Sequence, residues 1–170
     1  PIQGEGGVIP GDKKFFQQLR EICDKKNTLL IFDEVQSGVG RTGNMWGYEN
    51  LDIEPDGFTL AKGLGGGHAI GALLVGKKAN IFTPGDHAST FGGNPFACTA
   101  ALTILNEIKR KNLLHNVLMR SNQIEEGLDI IVKEHSNLIK GYRGIGLLQG
   151  IILNEEVIDA KKITFRALEE

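Results

Sequence analysis

Thr28-Leu29-Leu30-Ile31-Phe32-Asp33-Glu34-Val35-Gln36 is the stretch on which the fold of this chain turns. Its apolar residues run without alternation, the pattern of a strand buried on both faces in a largely parallel sheet, so a strand is predicted over 28–35. Upstream, Asp12 is a helix N-cap, and the periodicity predicts a helix over 13–26 with Phe15, Leu19, Ile22 and Cys23 on one face. Asn27 ends it. A helix, a short turn and a buried strand make half of a βαβ unit, which points to an α/β protein. A carboxylate at the C-terminal end of such a strand faces the crevice where open α/β sheets bind ligands, and Asp33 stands there.

Downstream, residues 37–56 are rich in glycine and polar residues and read as loop with a short helical turn. Short strands are predicted at 57–61 and 72–76, on either side of Lys62-Gly63-Leu64-Gly65-Gly66-Gly67. Asn94-Pro95 opens a helix to about Arg110, with Ala97, Ala101, Leu105 and Ile108 on its buried stripe. A second helix is predicted over 113–134, carrying Leu114, Val117, Ile124, Leu128 and Ile131. The polar link at 109–112 is the expected domain boundary, giving domains 1–110 and 111–170. Gly141-Tyr142-Arg143-Gly144-Ile145-Gly146 reads as a turn into a strand over 147–153, and a last helix is expected near Glu155.

Hydrophobic residues make up 41% and charged residues 24%, the balance of a globular protein with a real core. Lys and Arg number 19 against 21 Asp and Glu, with no block of one sign, which argues against a nucleic-acid footprint. Two cysteines, Cys23 and Cys98, make neither a disulfide framework nor a metal knuckle and are expected to be packed in helices. No apolar run reaches membrane-spanning length and no signal peptide is visible, so the cytoplasm is expected. His68, His87, His115 and His135 lack metal-ligand spacing, and no metal is expected.

Gly38-Val39-Gly40-Arg41-Thr42-Gly43 matches the dinucleotide-binding pattern, but no helical stripe follows Gly43 to face a pyrophosphate, so these glycines are assigned to turn geometry. The glycines after Lys62 lack the spacing of a phosphate loop. Lys62 itself, set between Ala61 and Gly63, can lie against backbone and ligand, partly desolvated, where an amine becomes a nucleophile. Lys62 as a Schiff-base lysine and Asp33 as partner of a pyridinium nitrogen together suggest a pyridoxal phosphate site. Glu34 reads equally as a surface or ion-paired carboxylate. Ser89-Thr90-Phe91-Gly92-Gly93-Asn94-Pro95 could meet an anion with hydroxyls and backbone N–H groups, or be an ordinary capping loop.

The motifs Pro1-Ile2-Gln3-Gly4-Glu5-Gly6-Gly7, Ile31 to Gly38, Leu60-Ala61-Lys62-Gly63 and Ser89 to Pro95, in this order, resemble the class-III (ω-amino acid) aminotransferases over the whole chain. Gly40-Arg41-Thr42-Gly43 and Pro84-Gly85-Asp86-His87 carry the resemblance toward members that use N-acetylornithine in arginine biosynthesis. Ser37 stands where the family often has threonine. The resemblance implies a fold-type-I α/β transferase: part of the large pyridoxal-phosphate-binding domain, with a mostly parallel sheet, and part of the smaller C-terminal α/β domain. It implies Lys62 and Asp33 as catalytic residues and Asp33, Glu34, Val35, Gln36, Lys62 and Thr90 as cofactor-binding, with Thr90 reaching the phosphate held by a second subunit of a homodimer. Glu5 and Ser89 would lie at the substrate end. The implied reaction moves the δ-amine of N-acetylornithine to 2-oxoglutarate. Ornithine, 4-aminobutyrate or other ω-amino acid transamination, or an aminomutase reaction, are the alternatives within the same chemistry. A binding module or an inactive paralogue are the alternatives outside it.

The chain begins with Pro1 and runs to Leu168-Glu169-Glu170 inside a helical pattern, so it is expected to be a segment of a longer protein. The resemblance puts the rest of the site outside it: a glycine-rich phosphate loop, a ring-stacking aromatic residue and carboxylate-binding arginines. The isolated chain is therefore expected to bind pyridoxal phosphate weakly and to show no transamination. Visible absorbance titrations and a coupled glutamate assay on these residues alone check this, and strong binding with full turnover would overturn it.

Overall fold

The structure is a computed structural model describing residues 1–169. Two short strands, β1 (Ile2–Gln3) and β2 (Ile9–Pro10), pair antiparallel at the start of the chain. Helix α1 (Lys13–Lys25) follows, and the Asp12 carboxylate caps it by accepting the Phe15 N–H at 2.9 Å. Its buried stripe differs from the expected one. Phe16, Leu19 and Cys23 face the core, whereas Phe15 and Ile22 are exposed. Residues 16, 19 and 23 recur every three to four positions, while Phe15 and Ile22 lie about 100° around the helix from Phe16 and Cys23.

Strand β3 (Ile31–Asp33) is shorter than the predicted 28–35 and is covered on one face. Leu30 and Phe32 enter the core, whereas Leu29 and Ile31 are exposed. The backbone leaves the strand because the Val35 N–H bonds Asp33 Oδ1 at 2.9 Å and the Gly38 N–H bonds the Glu34 carbonyl at 2.9 Å, which curls residues 34–38 into a turn. Strand β4 (Gly57–Leu60) pairs parallel with β3, and β5 (Ala72–Val75) pairs antiparallel with β4. The described sheet is thus a mixed three-stranded one in the order β3-β4-β5. Between β3 and β4 the chain makes turns and one 3₁₀ segment, Gly47–Leu51, in agreement with the predicted loop.

An aromatic cluster covers the packed face of the sheet. Phe32 meets Phe16 edge-on at 5.3 Å, and Phe58 lies 5.1 Å from Trp46 and 5.3 Å from Tyr48 between ring centroids. Such pairs contribute about 0.5–1.5 kcal/mol each beyond their buried area. One carboxylate ties the layers together. Asp56 accepts the Leu30 N–H and the Arg20 Nη1, each at 2.8 Å, while its backbone carbonyl accepts the Gly76 N–H at 2.8 Å. It therefore joins α1, the start of β3 and the end of β5.

Helix α2 (Pro95–Arg110) starts as predicted, with Asn94 Oδ1 accepting the Ala97 N–H at 3.0 Å and Ala97, Ala101 and Ile108 buried. Cys23 is buried, but Cys98 is exposed, since it sits one position around the helix from inward-facing Ala97. Asn112, in a left-handed conformation at φ 50°, turns the chain into α3 (Leu113–Glu134). Ser121 is the buried residue of α3, and Ile124 and Ile131, expected on its inner face, are exposed. The predicted turn at 141–146 is instead a strand. β6 (Ile139–Ile145) and β7 (Leu148–Leu153) form an antiparallel hairpin. Gly141 and Gly144 sit inside β6 at φ 153° and 150°, a conformation open to glycine, so they mark strand irregularity rather than a turn. The reversal comes at Gly146. Helix α4 (Ala160–Glu169) begins later than expected, after a turn in which the Val157 and Ile158 N–H groups bond the Asn154 carbonyl. Among the described residues no helix is long and apolar enough to cross a membrane.

Burial alone would raise the Asp56 carboxyl, but the Leu30 N–H and the Arg20 guanidinium outweigh it and hold the group below its ordinary value. A depressed folded pKa stabilises the fold above the unfolded value of about 3.9, and that contribution disappears as pH falls through the lower folded value. Asp56→Asn is expected to cost about 1–3 kcal/mol at neutral pH, because Arg20 loses the less exposed of its two carboxylate partners and keeps Asp24. The gap between variant and wild type should narrow as pH drops below about 4. Denaturant melts across that range measure both effects.

Candidate active site

The parallel register sets Asp33 opposite Thr59, so the ends of β3 and β4 lie side by side. A single residue, Ala61, separates the end of β4 from Lys62. Strand-end carboxylate and loop lysine are thereby brought to one cavity of about 390 Å³, lined by Gly4, Glu5, Asp33, Val35, Gln36 and Lys62 among others. The volume falls in the ordinary range for small-ligand sites. Asp33 is exposed to it, and its Oδ1 accepts the Val35 N–H, so the carboxylate is held by a turn bond as well as facing the cavity. Gln36 Nε2 donates to Glu5 Oε1 at 3.4 Å, bringing the first and second motifs into contact.

Lys62 is exposed, not partly desolvated as expected, because the Lys62–Gly65 3₁₀ turn that it opens, at φ 44°, leaves its side chain at the mouth of the cavity. A left-handed backbone costs a side-chain-bearing residue about 1–2 kcal/mol, and such strain gathers at functional sites. The turn is supported from behind. Leu64 packs into the core with Ala101 of α2, where a small side chain lets turn and helix approach closely.

Glu34, expected among the cofactor-binding residues, faces away from this cavity. It is 1% exposed, and its carboxylate accepts the Ser37 hydroxyl, the Gly47 N–H at 2.9 Å and the Tyr48 N–H at 2.6 Å. The reason is the strand's two-residue period. Asp33 and Glu34 leave the end of β3 on opposite sides, one toward the cavity and the other toward the aromatic layer. The surface or ion-paired alternative for Glu34 is likewise not what the structure has.

Residues 1–170 match the family described as aminotransferase class-III. The chain belongs to the class-III aminotransferase family. It is 72% identical over 170 residues to the acetylornithine aminotransferase of Prochlorococcus marinus subsp. pastoris, covering 100% of this chain and 41% of that protein. Its fold matches the ornithine aminotransferase of Toxoplasma gondii ME49 with a TM-score of 0.89 at 33% identity, covering 99% of this chain and 41% of that one. It matches the N-acetylornithine aminotransferase of Stenotrophomonas maltophilia with a TM-score of 0.80 at 38% identity, over 92% of this chain and 40% of that one. The chain thus spans about two-fifths of the length of the relatives it matches. The α/β transferase fold inferred from the motifs is the one these aminotransferases share.

On the far side of Lys62 this class-III chain has a second, more open cavity of about 660 Å³, which His68, Ser89 and Phe91 help to line. Ser89 therefore stands near Lys62, while its Oγ also accepts the Gly92 N–H at 3.0 Å, a local turn bond of the capping kind. Thr90 lies beside it on an exposed stretch. In the Gly38–Gly43 segment, Gly40 and Gly43 take φ of 82° and 91° and the chain turns without opening a helix at Gly43. Among the described residues, no group of three or more His, Cys, Asp and Glu side chains is placed to hold a metal ion.

Some neighbours of the site left no signal in the sequence. Leu147 and Leu148, at the tip of the β6–β7 hairpin, line a cavity of about 240 Å³ together with Arg41, Gln36 and Lys62. Arg143 Nε donates to the Gly7 and Val8 carbonyls at 2.9 and 3.1 Å, anchoring the turn that carries Glu5. The Arg143 bonds span 136 and 135 positions of chain, beyond the reach of any local pattern.

Gly4 has to be glycine for Gln36 to keep its place. A Cβ there would lie 2.7 Å from Gln36 Cδ and 2.9 Å from its Nε2. Gly4→Ala should swing the Gln36 amide out of contact with Glu5 at a stability cost within about 1 kcal/mol, since the obstructing group is the end of a flexible side chain. A crystal structure of the variant, with a thermal melt, checks both parts.

Proposed function

We propose that this chain carries the catalytic core of a pyridoxal-phosphate-dependent aminotransferase that takes the δ-amine of N-acetylornithine and delivers it to 2-oxoglutarate. The products are N-acetylglutamate semialdehyde and glutamate, and the place in metabolism is arginine biosynthesis. The observation that carries the reading is the convergence of Asp33, Val35, Gln36 and Lys62 on one cavity. The donor set fits the cofactor: an amine for its aldehyde, a carboxylate for its ring nitrogen, an apolar wall for its ring face and an amide for its phenolic oxygen. The 72% identity to an acetylornithine aminotransferase supports the choice of amine donor.

When bound, pyridoxal phosphate supplies an electron sink for the pair left at the substrate carbon when a proton departs. Lys62 Nζ would hold the cofactor through its aldehyde carbon, and the same amine, when free, would carry the proton at the substrate carbon. Its strained backbone and the packed Lys62–Gly65 turn aim the side chain at the cavity. Asp33 holds positive charge on the ring nitrogen, and its bond from the Val35 N–H keeps the carboxylate oriented. Gln36 orients the ring, and its contact with Glu5 links that duty to the substrate entrance. Ser89 serves the substrate end. Thr90 serves the cofactor phosphate of a second subunit, so the proposal includes a homodimer. Residues 1–110 are assigned to the cofactor-binding domain and 111–170 to the start of the second domain. These last assignments, and a cytoplasmic location, rest on the family resemblance.

A second reading, ornithine as donor, has support from the higher TM-score to an ornithine aminotransferase, 0.89 against 0.80. Backbone similarity reports fold, however, and donor choice lies in side chains. Specificity constants of the whole protein with N-acetylornithine, ornithine and 4-aminobutyrate decide between them. N-acetylornithine should lead, and a higher kcat/KM for either rival would replace the donor. Lys62→Ala should lower kcat on the order of a thousandfold and abolish the borohydride-reducible visible band.

A further inference from the structure

Glu34 is the largest fully buried side chain of the described chain, and the proposed chemistry does not use it. Burying a carboxylate is unfavourable unless hydrogen bonds replace its water, and here they do. Its two oxygens take three donors: the Ser37 hydroxyl, the Gly47 N–H and the Tyr48 N–H. Its backbone is held as well, with the Glu34 N–H bonding the Thr59 carbonyl at 3.0 Å and the Gly38 N–H bonding the Glu34 carbonyl at 2.9 Å.

These bonds fall where the sheet stops helping. The β3–β4 ladder ends at Asp33, and Val35 and Gln36 lie in a turn with no strand partner. Asp33, Val35 and Gln36 nevertheless all line the cavity. The far end of the clamp is rigid, because Tyr48 packs against Phe58 at 5.3 Å and stacks near Phe32 at 6.5 Å. The site for the clamp is tight. A Cβ at Gly47 would come 2.7 Å from Glu34 Oε2 and 2.8 Å from Ser37 Cβ.

We propose that Glu34 is a positioning residue for the cofactor: it hooks the Asp33–Gln36 turn onto the Gly47–Tyr48 backbone and so sets the three neighbouring side chains against the pyridoxal ring without touching it. This rests on the pyridoxal phosphate reading above. Misplacement of such groups by about 1 Å costs on the order of a hundredfold in function, so loosening the hook should be visible in binding itself.

The test uses the whole protein in apo form, titrated with pyridoxal phosphate. Glu34→Gln keeps the shape but turns an NH₂ group toward backbone N–H donors. It should raise the cofactor Kd about tenfold or more and shift the pH titration of the visible band. Ser37→Ala removes one donor and should act in the same direction to a smaller extent, which keeps the test open if Glu34→Gln does not fold. Ser37→Thr, which keeps the hydroxyl, should restore both readouts. Leu153→Ala, in β7 against the cavity lined by Leu138 and Ile163 and away from the clamp, should lower the melting temperature while leaving Kd and the band titration within about twofold. The proposal is overturned if the foldable clamp variants bind and titrate like wild type, or if Leu153→Ala reproduces their changes. Failure of the wild-type protein to bind the cofactor at all would instead remove the pyridoxal phosphate reading, and the positioning role with it.

Discussion

The parallel pairing of β3 with β4 is the constraint on which the rest of this structure depends. With Ile31 opposite Gly57, Phe32 opposite Phe58 and Asp33 opposite Thr59, the two strands end together, and the carboxylate and the lysine emerge at the same edge. A slip of one residue would turn Phe32 and Phe58 out of the core and Asp33 away from the cavity, because side chains alternate with a period of two. The aromatic layer and the Asp56 clamp resist such a slip from both ends of β3.

The same alternation separates two neighbouring acids. Asp33 and Glu34 are adjacent in sequence, yet one meets the cavity and the other the interior. The exposed acid can serve a ligand, whereas the buried one is fully engaged by Ser37, Gly47 and Tyr48. Support for the site is therefore built as two layers, with a reactive edge fastened to an aromatic core by a carboxylate and by a strained lysine turn backed by α2.

Much of this was legible in the residues. Asp12 and Asn94 cap their helices as their side chains require, whereas Lys62, expected to be partly desolvated, is exposed and stands out instead by its left-handed backbone. The errors share a cause. Phe15, Ile22, Ile124 and Ile131 are apolar residues at helical spacing, but which stripe is buried depends on what packs there, and periodicity alone does not say. The Gly141 and Gly144 pair read as a turn because glycine permits turns, whereas the β7 partner holds it in a strand. The length of β3 was overestimated because turn bonds from Asp33 and Glu34, not a loss of apolar character, end it.

By itself the sequence determined most of the element types, the helix caps, the family, and the places of Asp33 at a strand end and Lys62 in a glycine-rich loop. Those follow from local forces: backbone preference, side-chain capping and the spacing of apolar residues within a few turns of chain. Only the tertiary structure decided the direction of Glu34, the contact of Gln36 with Glu5, the anchoring of the Gly7–Val8 turn by Arg143 and the arrival of Leu147 and Leu148 beside Lys62. Each of these depends on surfaces that meet across long stretches of chain, where hydrogen-bond geometry and packing are fixed by the fold as a whole rather than by any local pattern.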